Sequence, residues 1–443
     1  MIPNLQGVPK VPAILLVLIL SLFHLVQSRG GPFELDDKID PSFDPNYLEN
    51  FLEPDSESVR NITGPKAWHV KNMLQVLKLW NYTAKEYSIT TEDEYIISLF
   101  RMLELREDNF TRNIENQTTN VNSTSPSKNN INNIPVLFLS GFLAGPELWL
   151  MSGQGDLPAI LSGVGYDLWF GTYRGTNYGR KHVNLTTKDK QFWDFSFHEI
   201  GYYDLPAMID HILKVTTAPR VILIGHSMGN AVVQLMLAMR PEYNDKVKLY
   251  IGLAPYAVAR LGLHKSVENL FYAILKHNDN SRSTDIFRQR KINPMAGACW
   301  SLPRLCFQLL SSLFGNSVGR GNWKLFPVLM TYFPSGSSNK NFKHLLQIGK
   351  ENFVQYDYGL KGNMVHYKSP TPPYYNLTNV RVPTSLYYGD VDAVVLLKGM
   401  NAQVKALSTV VKTTVIKNLN HMDMLVANEM YPLILDDLKK YGT

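Results

Sequence analysis

The chain is predicted to fold as an α/β protein: a mostly parallel, doubly wound sheet with an inserted helical cap. Three observations predict this. Short apolar runs recur at 134–139, 166–170, 221–224, 247–253, 384–388 and 412–416, with stretches of helical periodicity between them. That is how strands buried on both faces alternate with crossover helices. Second, Gly225-His226-Ser227-Met228-Gly229 stands between four branched apolar residues and the apolar run 231–239, so a buried strand, a tight turn and a buried helix meet at one serine. Third, residues 255–373 break the alternation: amphipathic, aromatic-rich helical patterns replace buried strands there.

The elements follow in order. Lys10 precedes an apolar run over 13–23, and Val26-Gln27-Ser28 offers small residues for cleavage, so residues 1–28 read as a secretory signal peptide. The alternative is an uncleaved anchor, but 13–26 contains Ser21 and His24 and is shorter than the ~20 residues of a spanning helix. Residues 29–133 form an N-terminal extension: an acidic, proline-containing segment, a short helix over 73–80, and a hairpin of strands 86–91 and 95–101 about Glu92-Asp93-Glu94. The extension ends in a polar loop over 103–133, rich in Asn, Thr and Ser. Residues 134–254 are the first part of the core, with a helix over 202–215; residues 255–373 are the cap; residues 374–443 complete the core and end in a helix over 428–441. In the cap, Leu302, Leu305, Cys306, Leu309, Leu310 and Leu313 recur at helical spacing after Ser301 and Pro303. Most of the cap's apolar stripes must pack on the core, leaving a minority, on loops or at helix ends, to line a binding channel or touch an apolar surface.

Bulk properties exclude more than they assign. A formal net charge of +6 in 443 residues, without basic clusters interleaved with aromatics, gives no nucleic-acid footprint. Seven Asn-x-Ser/Thr sequons, at Asn61, Asn81, Asn109, Asn116, Asn122, Asn184 and Asn376, fit the secretory route and read as glycosylated surface sites. The two cysteines, Cys299 and Cys306, suggest one disulfide in an oxidising compartment, with a pair of buried thiols as the alternative. They are too few for a zinc site, and neither metal nor cofactor is implied.

A strand–Gly-x-Ser-x-Gly–helix unit is the context of a nucleophile elbow, with Ser227 pushed out at the carboxyl end of the sheet. A serine hydroxyl becomes a useful nucleophile only when a histidine takes its proton and a carboxylate fixes that histidine's tautomer. Of eleven histidines, His421 lies between the last predicted strand and the final helix, where such a base belongs. The preceding strand opens into Gly389-Asp390-Val391-Asp392, and either aspartate could orient it. An acid directly after the strand glycine more often caps the turn, which favours Asp392. Two backbone N–H groups must face the developing oxyanion. Met228, after the nucleophile, supplies one, and Phe142, after the strand at 134–139, is the candidate for the other, with Gly141 letting the chain turn close to the site.

With these residues in place the chain resembles the acid lipase family of α/β-hydrolases, which includes gastric and lysosomal acid lipases and secreted insect lipases. The resemblance runs from about residue 68 to the C-terminus, apart from the polar loop. It is carried by Tyr87-Ser88-Ile89-Thr90-Thr91-Glu92-Asp93-Glu94-Tyr95-Ile96, Tyr166-Asp167-Leu168-Trp169-Phe170-Gly171-Thr172-Tyr173-Arg174-Gly175-Thr176, Phe192-Trp193-Asp194-Phe195-Ser196, Tyr203-Asp204-Leu205-Pro206-Ala207 and Asn420-His421-Met422-Asp423. The resemblance implies Ser227, Asp392 and His421 as the triad, oxyanion donors at Phe142 and Met228, and a cap disulfide at Cys299 and Cys306. Two departures stand out. The family usually has His-Gly before an oxyanion leucine, where this chain has Ser140-Gly141-Phe142, and Gln commonly follows its serine, where this chain has Met228. The expected activity is a secreted or lysosomal serine esterase acting on acylglycerols or sterol esters at a lipid–water interface, with no stable membrane span after signal cleavage. The rivals are a catalytically silent lipid carrier, a membrane-anchored sterol ester hydrolase, and another hydrolase of the same fold, such as a peptidase.

Overall fold

The computed structural model of the chain describes residues 72–105, 134–151, 155–258, 326–349 and 352–442, with 262, 269, 275, 285–286 and 313–315. The signal peptide, Asn61, Asn109, Asn116, Asn122, Cys299, Cys306 and most of the leucine stripe after Ser301 lie outside the described residues.

The first helix among the described residues, α1 (Met73–Leu79), starts in a capping box: the Asn72 side chain accepts from the Gln75 N–H, and Gln75 accepts from the Asn72 N–H. Strands β1 (Tyr82–Thr90) and β2 (Tyr95–Leu105) form the expected acidic-turn hairpin, and both run longer than their apolar patterns suggest. Then come β3 (Pro135–Leu139), α2 (Leu157–Gly163), β4 (Asp167–Gly171), the two-residue β5 (Lys181–His182), α3 (Leu205–Thr216), β6 (Val221–His226), α4 (Met228–Met239) and β7 (Val247–Leu253). The helix expected at 202–215 begins differently. A π-helical turn, Ile200–Asp204, precedes Pro206 and α3.

Residues 255–373 contain β8 (Asp285–Ile286), α5 (Phe326–Tyr332), β9 (Ser337–Ser338), α6 (Asn339–Ile348) and α7 (Gly359–His366). The expectation that no buried strand occurs here needs correcting, since β8 pairs antiparallel with β9 and Ile286, Ser337 and Ser338 are buried. A two-residue ladder is too short to leave a period-2 signal. The chain closes with β10 (Thr384–Gly389), α8 (Met400–Ala406), β11 (Val410–Ile416) and α9 (Tyr431–Tyr441).

Among the described residues the main sheet has nine strands, in the order β1-β2-β4-β3-β6-β7-β10-β11, with β5 on β2. From β4 to β11 every pairing is parallel, whereas β1, β2 and β5 add antiparallel pairs at one end. Both faces are covered. Val221 and Leu223 belong to one hydrophobic cluster and Ile222 and Ile224 to the other, all four inaccessible to solvent. Burying each contributes about 1.5–3 kcal/mol, and period-2 alternation divides them between the two faces.

Register delivers the functional loops. Leu139 ends β3 opposite Gly225, so residues 140–142 emerge beside Ser227. Gly389 ends β10 opposite Ile416, so the loops carrying Asp392 and His421 leave the sheet side by side.

Candidate active site

Ser227 sits at φ 53°, ψ −120° between β6 and α4. A non-glycine residue there is strained by about 1–3 kcal/mol and persists only if its surroundings over-determine it. Here they do. The Ser227 N–H donates to the Leu253 carbonyl at 3.1 Å, and the Ser227 carbonyl accepts from the N–H groups of Asn230 and Tyr256 and from Asn230 Nδ2. Asn230 also donates to the Leu253 carbonyl and accepts from the Tyr250 hydroxyl at 2.7 Å. The elbow glycines are steric necessities: a Cβ on Gly229 would lie 2.6 Å from the Leu139 carbonyl oxygen, and one on Gly225 would lie 3.0 Å from Asn230 Oδ1.

The structure brings Ser227, His421 and Asp392 into one hydrogen-bonded line. Ser227 Oγ lies 2.8 Å from His421 Nε2, and His421 Nδ1 lies 2.8 Å from Asp392 Oδ2. The other oxygen of Asp392 accepts from the N–H groups of Val394 and Val395 at 2.7 and 2.8 Å, which holds the carboxylate in place. Asp390 is exposed and accepts from the Asn418 N–H across the adjoining loop. From residues 255–373, the Phe314 carbonyl accepts from both the His421 and Ala393 N–H groups at 3.1 Å, tying the two loops together.

The sequence pattern singled out neither His226 nor Asn230. Buried His226 lies against the His421 ring, and its Nε2 is 2.9 Å from the His421 carbonyl oxygen. Burial, reinforced by the nearby His421, pushes its pKa down to about 3, so the ring stays neutral and donates to that carbonyl. A polar residue opening an otherwise apolar helix was the available signal for Asn230. His226 occupies a free position of its motif and carried none.

The loop over 140–145 is braced on every side. Ser140 Oγ accepts from Trp149 Nε1 and donates to the Gly145 carbonyl, each at 3.1 Å, and the Ser140 carbonyl accepts from the Tyr173 hydroxyl. Serine in place of the usual histidine thus makes its own buried hydrogen bonds. Met228 opens α4, so its N–H is one of the first-turn donors that have no intrahelical acceptor. Gly141 passes so close that an added Cβ would lie 2.9 Å from Ser227 Cβ and 3.2 Å from His226 Nδ1. Gly141→Ala is therefore expected to displace the serine side chain and lower kcat for a chromogenic ester about 10–100-fold. Wild-type kcat in that variant would show that the loop can retreat at no cost.

Behind this loop the Glu147 carboxyl is buried and accepts from the Tyr178 hydroxyl, which accepts in turn from the Met73 N–H. Burial raises its pKa to about 7, against the opposing hydrogen bond from Tyr178. The folded state thus binds a proton that the unfolded chain has released above its ordinary carboxylate range. The neutral form is fully favourable below about pH 4.5, and stability falls as pH rises through 7, by about 3 kcal/mol in all. Glu147→Gln should flatten this slope in urea unfolding between pH 4.5 and 8; parallel profiles for the two proteins would refute it.

Three of the family-like motifs meet in a buried ion cluster. Arg174 Nε donates to Asp204 at 2.8 Å, the Arg174 backbone N–H donates to the same carboxylate, and its two terminal nitrogens reach Asp93. Burial alone would lower the Arg174 pKa, but Asp204 and Asp93 outweigh it and hold the guanidinium charged. The π-helical turn ending at Asp204 carries that carboxylate into the cluster.

Asn81, Asn184 and Asn376 are exposed. Among the described residues no group of three or more His, Cys, Asp or Glu could hold a metal ion, and no helix is long and apolar enough to cross a membrane.

A parallel sheet with a strained serine at the end of its central strand, and a histidine and a carboxylate on the last two loops, defines the class: the chain belongs to the α/β-hydrolases. The family model described as alpha/beta hydrolase fold matches residues 134–427, and the one described as partial alpha/beta-hydrolase lipase region matches 73–153. Within that class the chain belongs with the acid lipases and is a carboxylic ester hydrolase. It is 32% identical to Lipase 1 of Drosophila melanogaster over 81% of this chain and 77% of that one. It is 28% identical to gastric triacylglycerol lipase of Bos taurus, over 83% of this chain and 92% of that one, and 28% identical to human Lipase member J, over 83% and 98%.

Proposed function

We propose that the chain is a secreted or lysosomal serine lipase that hydrolyses acylglycerols or sterol esters through an acyl-enzyme on Ser227. The observation that carries this reading is the unbroken line from Ser227 Oγ through His421 to Asp392, with both links at 2.8 Å. Ser227 Oγ attacks the ester carbonyl carbon as its proton passes to His421 Nε2. The carbonyl oxygen gains the negative charge, facing the N–H groups of Met228 and Phe142. Asp392 keeps Nδ1 protonated and stabilises the imidazolium. As the C–O bond breaks, His421 returns the proton to the departing alcohol. Water, deprotonated by His421, then attacks the acyl-enzyme and frees the fatty acid and Ser227. These transfers balance with the three side chains and water alone.

Residues 255–373 act in this reading as a cap that selects the acyl chain. A leader ending near Ser28 sends the chain into the secretory pathway, where its exposed sequons take glycans and Cys299 pairs with Cys306. The relatives named as lipases support the lipid substrate. The deciding experiment uses p-nitrophenyl esters from acetate to palmitate, with the matching anilides, and the purified mature chain. Ester turnover that rises with chain length, with anilides untouched, is expected. Faster anilide cleavage would favour a peptidase, and lipid binding without turnover would favour a carrier. A mature N-terminus that retains Lys10 would favour a membrane-anchored enzyme.

A further inference from the structure

The start of α6 touches both residues assigned above to the oxyanion hole. Asn341 Nδ2 donates to Met228 Sδ at 3.5 Å and to Ser337 Oγ at 3.0 Å. The next residue, Phe342, has its ring centroid 5.2 Å from that of Phe142, in a small apolar cluster with Leu275, Ile286 and Leu346. Asn341 is 1% exposed and Met228 2%, and among the described residues Asn341 Oδ1 has no hydrogen-bond partner. Two consecutive side chains of the 255–373 segment thus reach the two different elements, α4 and the loop after β3, from which the donor N–H groups project.

We propose that Asn341 and Phe342 are positioning residues that clamp Met228 and Phe142, and so set the spacing of the two oxyanion donors. Energetics point the same way. Burying an amide with one polar atom unpaired costs about 1–3 kcal/mol, and a thioether is too weak an acceptor to offset that. The bond to Ser337 Oγ offsets part of that cost but does not involve Met228. The amide's distinguishing property is that it is directional, holding Met228 against α6 at a fixed place. Oxyanion stabilisation depends steeply on such placement, since a donor must meet the oxygen at 2.7–3.1 Å. Phe342 acts on the other donor through ring contact, which limits how far the Phe142 backbone can swing. The chain's own departures, Met228 and Phe142, are the residues held.

The inference rests on the serine-hydrolase reading above, and its test separates the two. Asn341→Ala, Met228→Leu, their double variant and Phe342→Ala are assayed on p-nitrophenyl butyrate, whose short acyl group needs little of any acyl channel. Rates are expressed per active site titrated with a p-nitrophenyl phosphonate that labels Ser227, so unfolded molecules drop out. Met228→Leu keeps the volume and the backbone N–H while removing the sulfur. Each single variant should lose about tenfold to a hundredfold in kcat with KM within about twofold. The Asn341–Met228 double variant should be no slower than the slower single, because both break one contact. Wild-type kcat in Asn341→Ala, a rise in KM alone, or losses that multiply in the double variant would overturn the clamp and leave the hydrolase reading intact. An inactive wild type, or phosphonate labelling that survives Ser227→Ala, would overturn the hydrolase reading itself.

Discussion

Ser227→Ala is expected to lower kcat for a p-nitrophenyl ester by about five to six orders of magnitude, with little change in thermal stability. The alanine lacks the oxygen that contacts His421 Nε2, so no acyl-enzyme forms. Relief of the strained backbone is not expected, because alanine must adopt the same φ of 53°. His421→Ala should fall to a similar floor, and the double variant no further, because residues acting as one unit are not additive. Asp392→Asn should cost about 10⁴-fold. An asparagine there can donate towards Nδ1, which favours the wrong tautomer and leaves Nε2 protonated against the serine. Pre-steady-state measurement of the released nitrophenol checks the series: a burst in wild type, none in Ser227→Ala. A Ser227→Ala protein retaining more than about a thousandth of wild-type turnover would place the nucleophile elsewhere.

The second large effect concerns folding. Arg174→Met should cost about 3–5 kcal/mol in urea unfolding, because it leaves the Asp204 carboxylate, 0% exposed, without its counter-ion. Asp93, at the rim of the cluster, can turn towards water; Asp204 cannot. Adding Asp204→Leu should recover about 1–3 kcal/mol, since a buried pair replaced as a whole by apolar groups is often no worse than the pair itself. The recovery distinguishes an electrostatic fault from loss of the guanidinium stack on Tyr95, whose centroid lies 3.9 Å away, because no change at position 204 restores that stack. A double variant as unstable as Arg174→Met would assign the loss to packing.

This ion cluster also marks the limit of what could be read in the chain. Arg174, Asp204 and Asp93 stood in three motifs that carried the family resemblance, yet nothing in their spacing told that they meet; they are 30 and 81 residues apart and touch only once the sheet has formed. The same holds at the site. His421 and Asp392 lie on the loops after the last two strands; strand order located His421 and the loop shared by Asp390 and Asp392, and the habit of a first acid to cap the turn favoured Asp392. That His226 faces the His421 carbonyl, or that Phe314 ties both loops, depends on side-chain packing and on a crossing from the 255–373 segment. The β8–β9 pair leaves no mark in the sequence, because two residues cannot show a period.

By itself, then, the amino-acid sequence determined the alternation of buried strands and helices, the serine elbow and the family, because periodicity, turn glycines and local motif spacing are properties of neighbouring residues. Only the tertiary structure decided which polar groups meet: Asp392 rather than Asp390 at His421, Ser140 with Trp149, and Asn341 with Met228. Those pairings come from the register of parallel strands, which places the ends of distant segments at one edge. Burial then raises the cost of every unpaired polar group, so the side chains that meet there must satisfy one another.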